Sequence, residues 1–187
     1  MNYCGTCGQP TEKKIPEGDD RERHCCEACG HIHYYNPKMI VVCLPRWQDK
    51  VLMCKRGIEP RHGFWTLPGG FMELDETTEQ GAIRETWEET RAEVEIERLH
   101  GVYNMPQINQ VYFVYLANML TPYFETTPES TDIQLLEHHE IPWDQLAFKV
   151  IKTALQQYVD DQPYGNNGVH HDVITFEKNI VTDRWSS

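Results

Sequence analysis

Two short apolar runs, Lys38 to Leu44 (KMIVVCL) and Val51 to Lys55 (VLMCK), flank a polar Gln48-Asp49-Lys50. That pattern predicts two β-strands joined as a hairpin. Val94 to Val102 and Val111 to Leu120 are rich in β-branched and aromatic residues and read as two more strands, with Pro106 interrupting the segment between them. A further strand is expected from Ile133 to Ile141. Pro142 then precedes a helix from about Asp144 to Tyr158, where Leu146, Val150, Ala154, Leu155 and Tyr158 recur at helical spacing and make one apolar face. That stripe is core, with no sign of a cofactor box. Thr77 with Gln80 three places on resembles a capping box, so another helix is predicted from Thr77 to about Thr90. Strands interleaved with helices make the chain α/β.

Two regions lie outside this pattern. The first runs to about Tyr35 and is polar and rich in cysteine; Asn36-Pro37 ends it, since asparagine before proline favours a turn. The second is the tail from Pro163, in which Asn166-Asn167-Gly168 reads as a turn or linker. Val173 to Phe176 suits a strand added to a sheet edge or to a neighbouring subunit. His170 and His171 are read as exposed, without a metal role. The expected division is therefore residues 1–35, 36–162 and 163–187.

A chain of 187 residues, 40% hydrophobic and 25% charged, suits one ordinary globular domain with a small appendage. No apolar run approaches the roughly 18 residues of a membrane span. The N-terminal MNYCGTCGQP has neither the basic start nor the apolar stretch of an export signal. A cytoplasmic protein without membrane contact is expected. The formal charge of −12 argues against a nucleic-acid partner, because that binding relies on clustered lysine and arginine. An acidic protein can still take an anionic small molecule when bound cations outweigh the carboxylates that hold them. Lys55, Arg56 and Arg61 form a small basic cluster that serves either solubility or phosphate binding, with Arg56 the candidate phosphate contact.

Seven cysteines in a chain without an export signal point to metal or reduced thiols more than to disulfides. Cys4-Gly5-Thr6-Cys7 and Cys26-Glu27-Ala28-Cys29 are two CxxC knuckles, each followed by a glycine. Four thiolates at that spacing can take the corners of a tetrahedron around Zn²⁺, a closed structural site. Cys25 could replace Cys26, at the expense of the two-residue knuckle spacing. His24, His31 and His33 read as surface or hairpin residues, and Cys43 and Cys54 as buried, inert thiols. A ribbon of this size has too small a core to fold alone, so zinc would supply much of its stability.

From Gly70 to Ala92 the chain reads GFMELDETTEQGAIRETWEETRA. Glu85, Glu88 and Glu89 stand at i, i+3 and i+4, so on a helix they project from one face within a turn. Two carboxylates about 4 Å apart repel by about 4 kcal/mol at an effective dielectric near 20, and a hard cation reverses that sign. The run resembles the Nudix box, GX5EX7REUXEEXGU with U a bulky aliphatic residue. Gly70, Glu76, Arg84, Glu85, Glu88 and Glu89 match six of its seven fixed letters, and the preceding WTLPGG is similar to the family's approach to the box. Thr86, Arg91 and Ala92 depart from it. Arg91 replaces the closing glycine, so it must either take a left-handed conformation or let the helix end differently.

The resemblance implies an α/β/α sandwich with a mixed sheet, preceded in the chain by the small zinc ribbon, and a hydrolase of P–O–P bonds using Mg²⁺ or Mn²⁺. It implies Glu85 and Glu89 as the main metal ligands, with Glu88 assisting and the Gly69 carbonyl a further ligand. Arg84 would orient the glutamates, while Gly70, Glu73 and Glu76 would shape the loop or hold outer-shell water. Glu129, on a loop beyond the sheet, is the candidate for a last metal ligand or the water-activating base; an ordinary exposed glutamate is the competing reading. IPEGDDRERHCCEACG, YNPKMIV and GFWTLPGG are similar to plant-type FAD and ADP-ribose pyrophosphatases, so ADP-ribose or FAD is the expected substrate and AMP the product. The region YNMPQINQVYFVYL lacks the SQPWPFP-type array of NADH pyrophosphatases, which makes NADH the alternative. Tyr103, Tyr112, Phe113 and Tyr115 could stack on adenine or flavin, although alternating aromatics on a strand are more often core. The family's habit also suggests a homodimer. A rival of another class is a non-catalytic binder whose acidic helix holds a structural cation.

Overall fold

A computed structural model describes residues 1–165 and 168–176. Asn166 and Asn167 of the expected turn lie outside those residues. Contacts divide the chain between Pro37 and Lys38.

The first unit is a three-stranded antiparallel sheet of β1 (Glu12–Lys14), β2 (Arg23–Cys25) and β3 (Ile32–His33), in that order. Its buried apolar residues are Cys4, Cys25 and Cys26, so its interior is sulfur in place of an aliphatic core. Cys4 N–H closes the first knuckle from the other side by donating to the Gln9 carbonyl at 2.7 Å, and Cys26 N–H donates to His31 at 2.9 Å.

The second unit is built on β4 (Lys38–Trp47), β5 (Lys50–Arg56), β6 (Trp65–Thr66), β7 (Gly69–Phe71), α1 (Thr78–Thr90), β8 (Val94–Met105), β9 (Gln110–Met119), β10 (Ser130–Leu136), α2 (Lys149–Asp161) and β11 (His170–Val173). The sheet runs β10-β5-β4-β9-β8-β11, with β6 beside β5 and β7 beside β4. β4 pairs β9 and β8 pairs β11 in parallel, while the other pairings are antiparallel, so the sheet is mixed as expected.

Alternation along the central strands separates two cores. Ile40, Val42 and Leu44 of β4, Val51 and Met53 of β5, and Val114 and Leu116 of β9 pack with Val150, Ile151, Ala154, Leu155 and Tyr158 of α2. Val41, Cys43, Leu52, Cys54, Tyr115 and Ala117 turn to the opposite face with Ala82 of α1. Each fully buried Val, Leu or Ile contributes roughly 1.5–3 kcal/mol relative to exposure. Alternating apolar strands therefore hold one helix on each side.

β4 and β8 run on to Trp47 and Met105, past the expected Leu44 and Val102, and three other elements are displaced. The strand placed at Ile133 to Ile141 runs Ser130–Leu136, because those residues pair with Arg56 to Val51 of β5 and Glu137 then starts a capped turn with Glu140. The helix placed from Asp144 begins at Lys149: Trp143–Gln145 is a single 3₁₀ turn, and Leu146 is drawn into a bridge to Trp65, with Ala147 N–H donating to the Trp65 carbonyl at 2.8 Å. The tail strand lies at His170–Val173, not Val173 to Phe176, set by its register against Gly101 to Asn104.

Candidate active site

Local chemistry places the acidic helix. Thr77 Oγ1 accepts from the Gln80 N–H at 3.2 Å and Gln80 Oε1 accepts from the Thr77 N–H at 2.8 Å, so the capping box starts α1 where the sequence put it. Thr86 occupies a position the family fills with an aliphatic residue; it is fully buried and donates its hydroxyl to the Ala82 carbonyl at 2.7 Å. Arg91 takes the left-handed alternative, with φ 58°, its N–H on the Trp87 carbonyl at 2.8 Å and its guanidinium over the Trp87 ring.

Arg84 organises the glutamates. Its Nε and Nη2 donate to Glu76 Oε2 at 3.0 Å and Oε1 at 2.8 Å, and its Nη1 to Glu85 Oε1 at 2.8 Å and Glu88 Oε2 at 3.0 Å. Nη2 also reaches the Phe71 carbonyl at 3.2 Å. A planar guanidinium can serve that many acceptors; an ammonium cannot. Glu76 accepts a further bond from the Glu73 N–H at 2.7 Å, and the Arg84 contact holds its carboxyl below the usual range against the desolvation that would raise it. Glu73 thus enters through its backbone, its side chain being exposed.

Two glycines make room for these carboxylates. A Cβ on Gly70 would stand 2.5–2.6 Å from the Glu85 carboxylate, and one on Gly81 would stand 2.6 Å from Glu76 Oε1. Gly70 is a fixed letter of the motif; Gly81 was not singled out from the sequence, although a glycine inside a helix often has a packing reason.

Glu89 points the other way, toward the sheet. It is buried, accepts from the Gly69 N–H at 3.1 Å and lies 3.9 Å from Cys54 Sγ. Burial pushes its carboxyl up to about 8; the Gly69 N–H and the charge of Arg56 oppose this, and the charges of Glu85 and Glu129 add to it. Glu85 moves in the same direction, chiefly by burial, with Arg84 opposing and Glu88 and Glu129 adding. Glu129 is exposed on the loop before β10, which is tied down by the Gly57 N–H on its carbonyl at 2.7 Å and by Thr127 Oγ1 on the Glu89 carbonyl at 3.1 Å. The loop thus brings its charge to Glu85 and Glu89. Arg56 stands over the Phe148 ring and donates Nε to the Pro60 carbonyl at 2.8 Å.

The donor set suits a hard divalent cation. Glu85, Glu89 and Glu129 are like charges, one of them buried, while Arg84 is already engaged by Glu76, Glu85 and Glu88. A cation held by carboxylate oxygen offsets the desolvation that chiefly lifts Glu89 and the repulsion from Glu85 and Glu129 that adds to it. Of the aromatics considered for stacking, Tyr103 is fully buried with its hydroxyl on Gln157 Oε1 at 2.7 Å, and Tyr115 is buried with its hydroxyl 2.6 Å from Thr78 Oγ1. Those two are core.

In the first unit, the Sγ atoms of Cys4, Cys7, Cys26 and Cys29 all lie within 4.8 Å of one another, with Cys4 to Cys29 at 3.7 Å and Cys7 to Cys26 at 3.5 Å. A tetrahedron with zinc to sulfur bonds of ~2.3 Å has edges of roughly 3.8 Å, so the four sulfurs fit that ion. Cys25 faces the Lys14 and Arg23 carbonyls instead, which resolves the choice between it and Cys26. His33, read from sequence as a surface or hairpin residue, is half-buried and places Nε2 3.3 Å from Cys4 Sγ. Desolvation raises the Cys4 thiol, but N–H groups of Thr6 and Cys7 and the contacts with His33 and Cys29 outweigh it and carry it down to about 5.

Comparison with known proteins gives the same division of labour. A NUDIX domain model matches residues 36–163, and a Nudix N-terminal zinc-ribbon model matches residues 2–35. A NUDIX hydrolase from Nitrosomonas europaea of known crystal structure is 46% identical, with a TM-score of 0.91 over 94% of this chain and 100% of that one. A MutT-like protein of Streptomyces ambofaciens is 41% identical over 80 residues, 43% of this chain and 52% of its own length. An ADP-ribose pyrophosphatase of Methanocaldococcus jannaschii is 29% identical over 130 residues, 66% of this chain and 76% of its own. The NAD-capped RNA hydrolase NudC of Edwardsiella ictaluri is 28% identical over 116 residues, 62% of this chain and 43% of its own. The chain thus spans about half the length of some of the curated relatives it matches. No helix among the described residues is long and apolar enough to cross a membrane. With the box, the sheet and the ribbon all in place, the chain belongs to the Nudix hydrolase family.

Proposed function

We propose that the protein hydrolyses the diphosphate bond of a nucleoside diphosphate derivative, ADP-ribose or FAD, and releases AMP, with Mg²⁺ or Mn²⁺ as its cofactor. Nudix enzymes use a divalent metal. The observation that carries the reading is Glu89, a carboxyl buried against the sheet with the Gly69 N–H on it at 3.1 Å, on the same helix as Glu85; burial, with the charges of Glu85 and Glu129 adding, pushes it up to about 8. Such a group is destabilising as an anion until a cation joins it.

Glu85 and Glu89 would hold the cation, with Glu88 and the Gly69 carbonyl as further ligands. Bound there, it would supply a more acidic water and neutralise charge on the diphosphate. The residues of the chain do the rest. Arg84 fixes the rotamers of Glu85 and Glu88, and Glu76, Glu73 and Gly70 hold the loop that faces them. Glu129 takes the proton of the attacking water as its oxygen bonds to phosphorus and the bridging P–O bond breaks. Arg56, whose guanidinium carbon lies 5.1 Å from the centre of the Phe148 ring, offers its charge to a phosphate.

The name of the Methanocaldococcus relative supports ADP-ribose. A second reading, an NAD-type dinucleotide either free or at the end of an RNA, is supported by the name of the Edwardsiella relative. A net charge of −12 weighs against grip on the RNA body. AMP release measured from ADP-ribose, FAD, NADH and an NAD-capped oligonucleotide, with and without Mg²⁺ or Mn²⁺, tests these. Preference for ADP-ribose or FAD is the expected result. Preference for the NAD compounds moves the substrate to the second reading, and no turnover on any of them favours a non-catalytic binder.

A further inference from the structure

We infer that His100, Asp161 and His170 form a second transition-metal site, separate from the ribbon and on the α2 side of the sheet, that pins β11 to the domain. The three residues come from β8, the last turn of α2 and the first position of β11, and their donor atoms all lie within 4.8 Å of one another.

His100 carries the argument. Its side chain is fully buried, and its Nε2 lies 3.0 Å from the Ala154 carbonyl, which can only accept. Nε2 therefore bears the proton, and the neutral ring turns its other nitrogen, Nδ1, into the interior as a lone pair. Nδ1 has no hydrogen-bond partner among the described residues. A buried acceptor left in that state is destabilising and is rare in folded proteins. A metal ligand is the chemistry that uses it: a neutral imidazole whose remote N–H is fixed by a backbone carbonyl is the usual arrangement of a coordinating histidine.

The other two residues complete the donor set. The His170 ring stands edge to face with His100, centroids 5.0 Å apart, and its Nε2 lies 2.7 Å from Asp161 Oδ2. A cation at this point displaces the proton shared by His170 and Asp161, and ligands at ~2.0–2.1 Å in a tetrahedron sit roughly 3.3 Å apart, so that pair opens by about half an ångström. Two imidazoles and one carboxylate suit Zn²⁺ and its neighbours, not Mg²⁺. His170 is about a fifth exposed, which leaves a route from solvent on the β11 side. The sequence reading made His170 an exposed residue; parallel pairing of β11 with Gly101 to Asn104 turns it inward.

Bulk purpose follows from chain position. β11 is four residues long and is held by its ladder to β8, by Gln157 Nε2 on Asp172 Oδ2 at 2.7 Å, by the contact of His171 with Asn104 at 3.1 Å, by His170 on Asp161 and by the adjoining Ile174, which is buried in the core and donates its N–H to the Asn104 carbonyl at 2.8 Å. A metal bridging β8, α2 and β11 cross-links all three.

The test uses the full chain, loaded with Zn²⁺ in a large excess of Mg²⁺, desalted and analysed for metal. Two zinc ions per chain are expected in the wild type, one in His170→Ala, one in Asp161→Asn, and one in a variant lacking the four ribbon cysteines. In the ¹¹³Cd-loaded protein, one resonance in the sulfur-ligand range and one in the nitrogen/oxygen range are expected, the latter missing from His170→Ala. Zinc should also slow amide exchange of Asp172 and Val173 at least tenfold in the wild type and leave it unchanged in His170→Ala. One zinc per chain in the wild type, or two retained by His170→Ala, overturns the inference.

Discussion

In protein freed of Mg²⁺ and Mn²⁺ but retaining its ribbon zinc, Glu89→Gln is expected to raise the stability of the Nudix domain at alkaline pH. Burial, joined by the charges of Glu85 and Glu129 and opposed by the Gly69 N–H, takes the Glu89 carboxyl from 4.5 to about 8. Because the folded value lies above the unfolded one, the folded state holds the proton more tightly. That contribution is complete below about pH 4.5 and is lost as pH rises through about 8. At about 1.36 kcal/mol per pH unit, the gap between the two states amounts to roughly 4–5 kcal/mol at pH 9. Glutamine removes the charge and keeps an acceptor for the Gly69 N–H, and local relaxation and water entry reduce the gain to roughly 2–4 kcal/mol. Urea unfolding followed by tryptophan fluorescence at pH 5, 7 and 9 measures it, with a difference between wild type and variant of no more than about 1 kcal/mol at pH 5. Saturating Mg²⁺ should reverse the order, since the wild type alone gains the free energy of binding. A variant no more stable than wild type at pH 9 without divalent cation would refute the account of Glu89 as a strained anion awaiting a metal.

Other consequences can be checked independently. Gly70→Ala places a Cβ against the Glu85 carboxylate and should raise the Mg²⁺ concentration for half-maximal activity by about tenfold or more, with little change in the urea midpoint. An unchanged Mg²⁺ dependence removes Glu85 from the ligand set. Arg84→Ala leaves Glu76, Glu85 and Glu88 without their shared partner and should lower stability by about 2 kcal/mol in Mg²⁺-free buffer, and by less when Mg²⁺ is added. Glu129→Gln should lower kcat by about 10²–10⁴ without moving the urea midpoint, and full activity in that variant excludes it as the base. Chelating the ribbon zinc should bring amide exchange across Cys4 to His33 to unfolded rates while the central strands of the Nudix domain stay protected, as mass spectrometry would read peptide by peptide.

Much of this was legible from the chain because the signals are local. A capping box needs Thr77 and Gln80 three apart; carboxylates at 85, 88 and 89 share a helix turn; two CxxC knuckles specify four thiolates; and the continuous apolar run KMIVVCL marks a strand. Each is a statement about neighbours in sequence, where the spacing of side chains is set by the backbone itself. The element ends that moved did so where a distant partner intervened. Leu146 left the helix for a bridge to Trp65, and the strand at 130 was placed by β5.

What the chain could not announce is depth and company. Glu85, Glu88 and Glu89 are equivalent on a helical wheel, yet packing sends Glu89 into the sheet beside Cys54 and leaves Glu88 half in solvent on Arg84. Likewise His100 and His170 are unremarkable in a linear reading, and the parallel pairing of β8 with β11 brings them to one point with Asp161. Residue type and local period determined which groups were available and which elements would carry them. Long-range pairing decided which were stripped of water, and it is desolvation that turns an ordinary carboxylate or imidazole into one that calls for a cation.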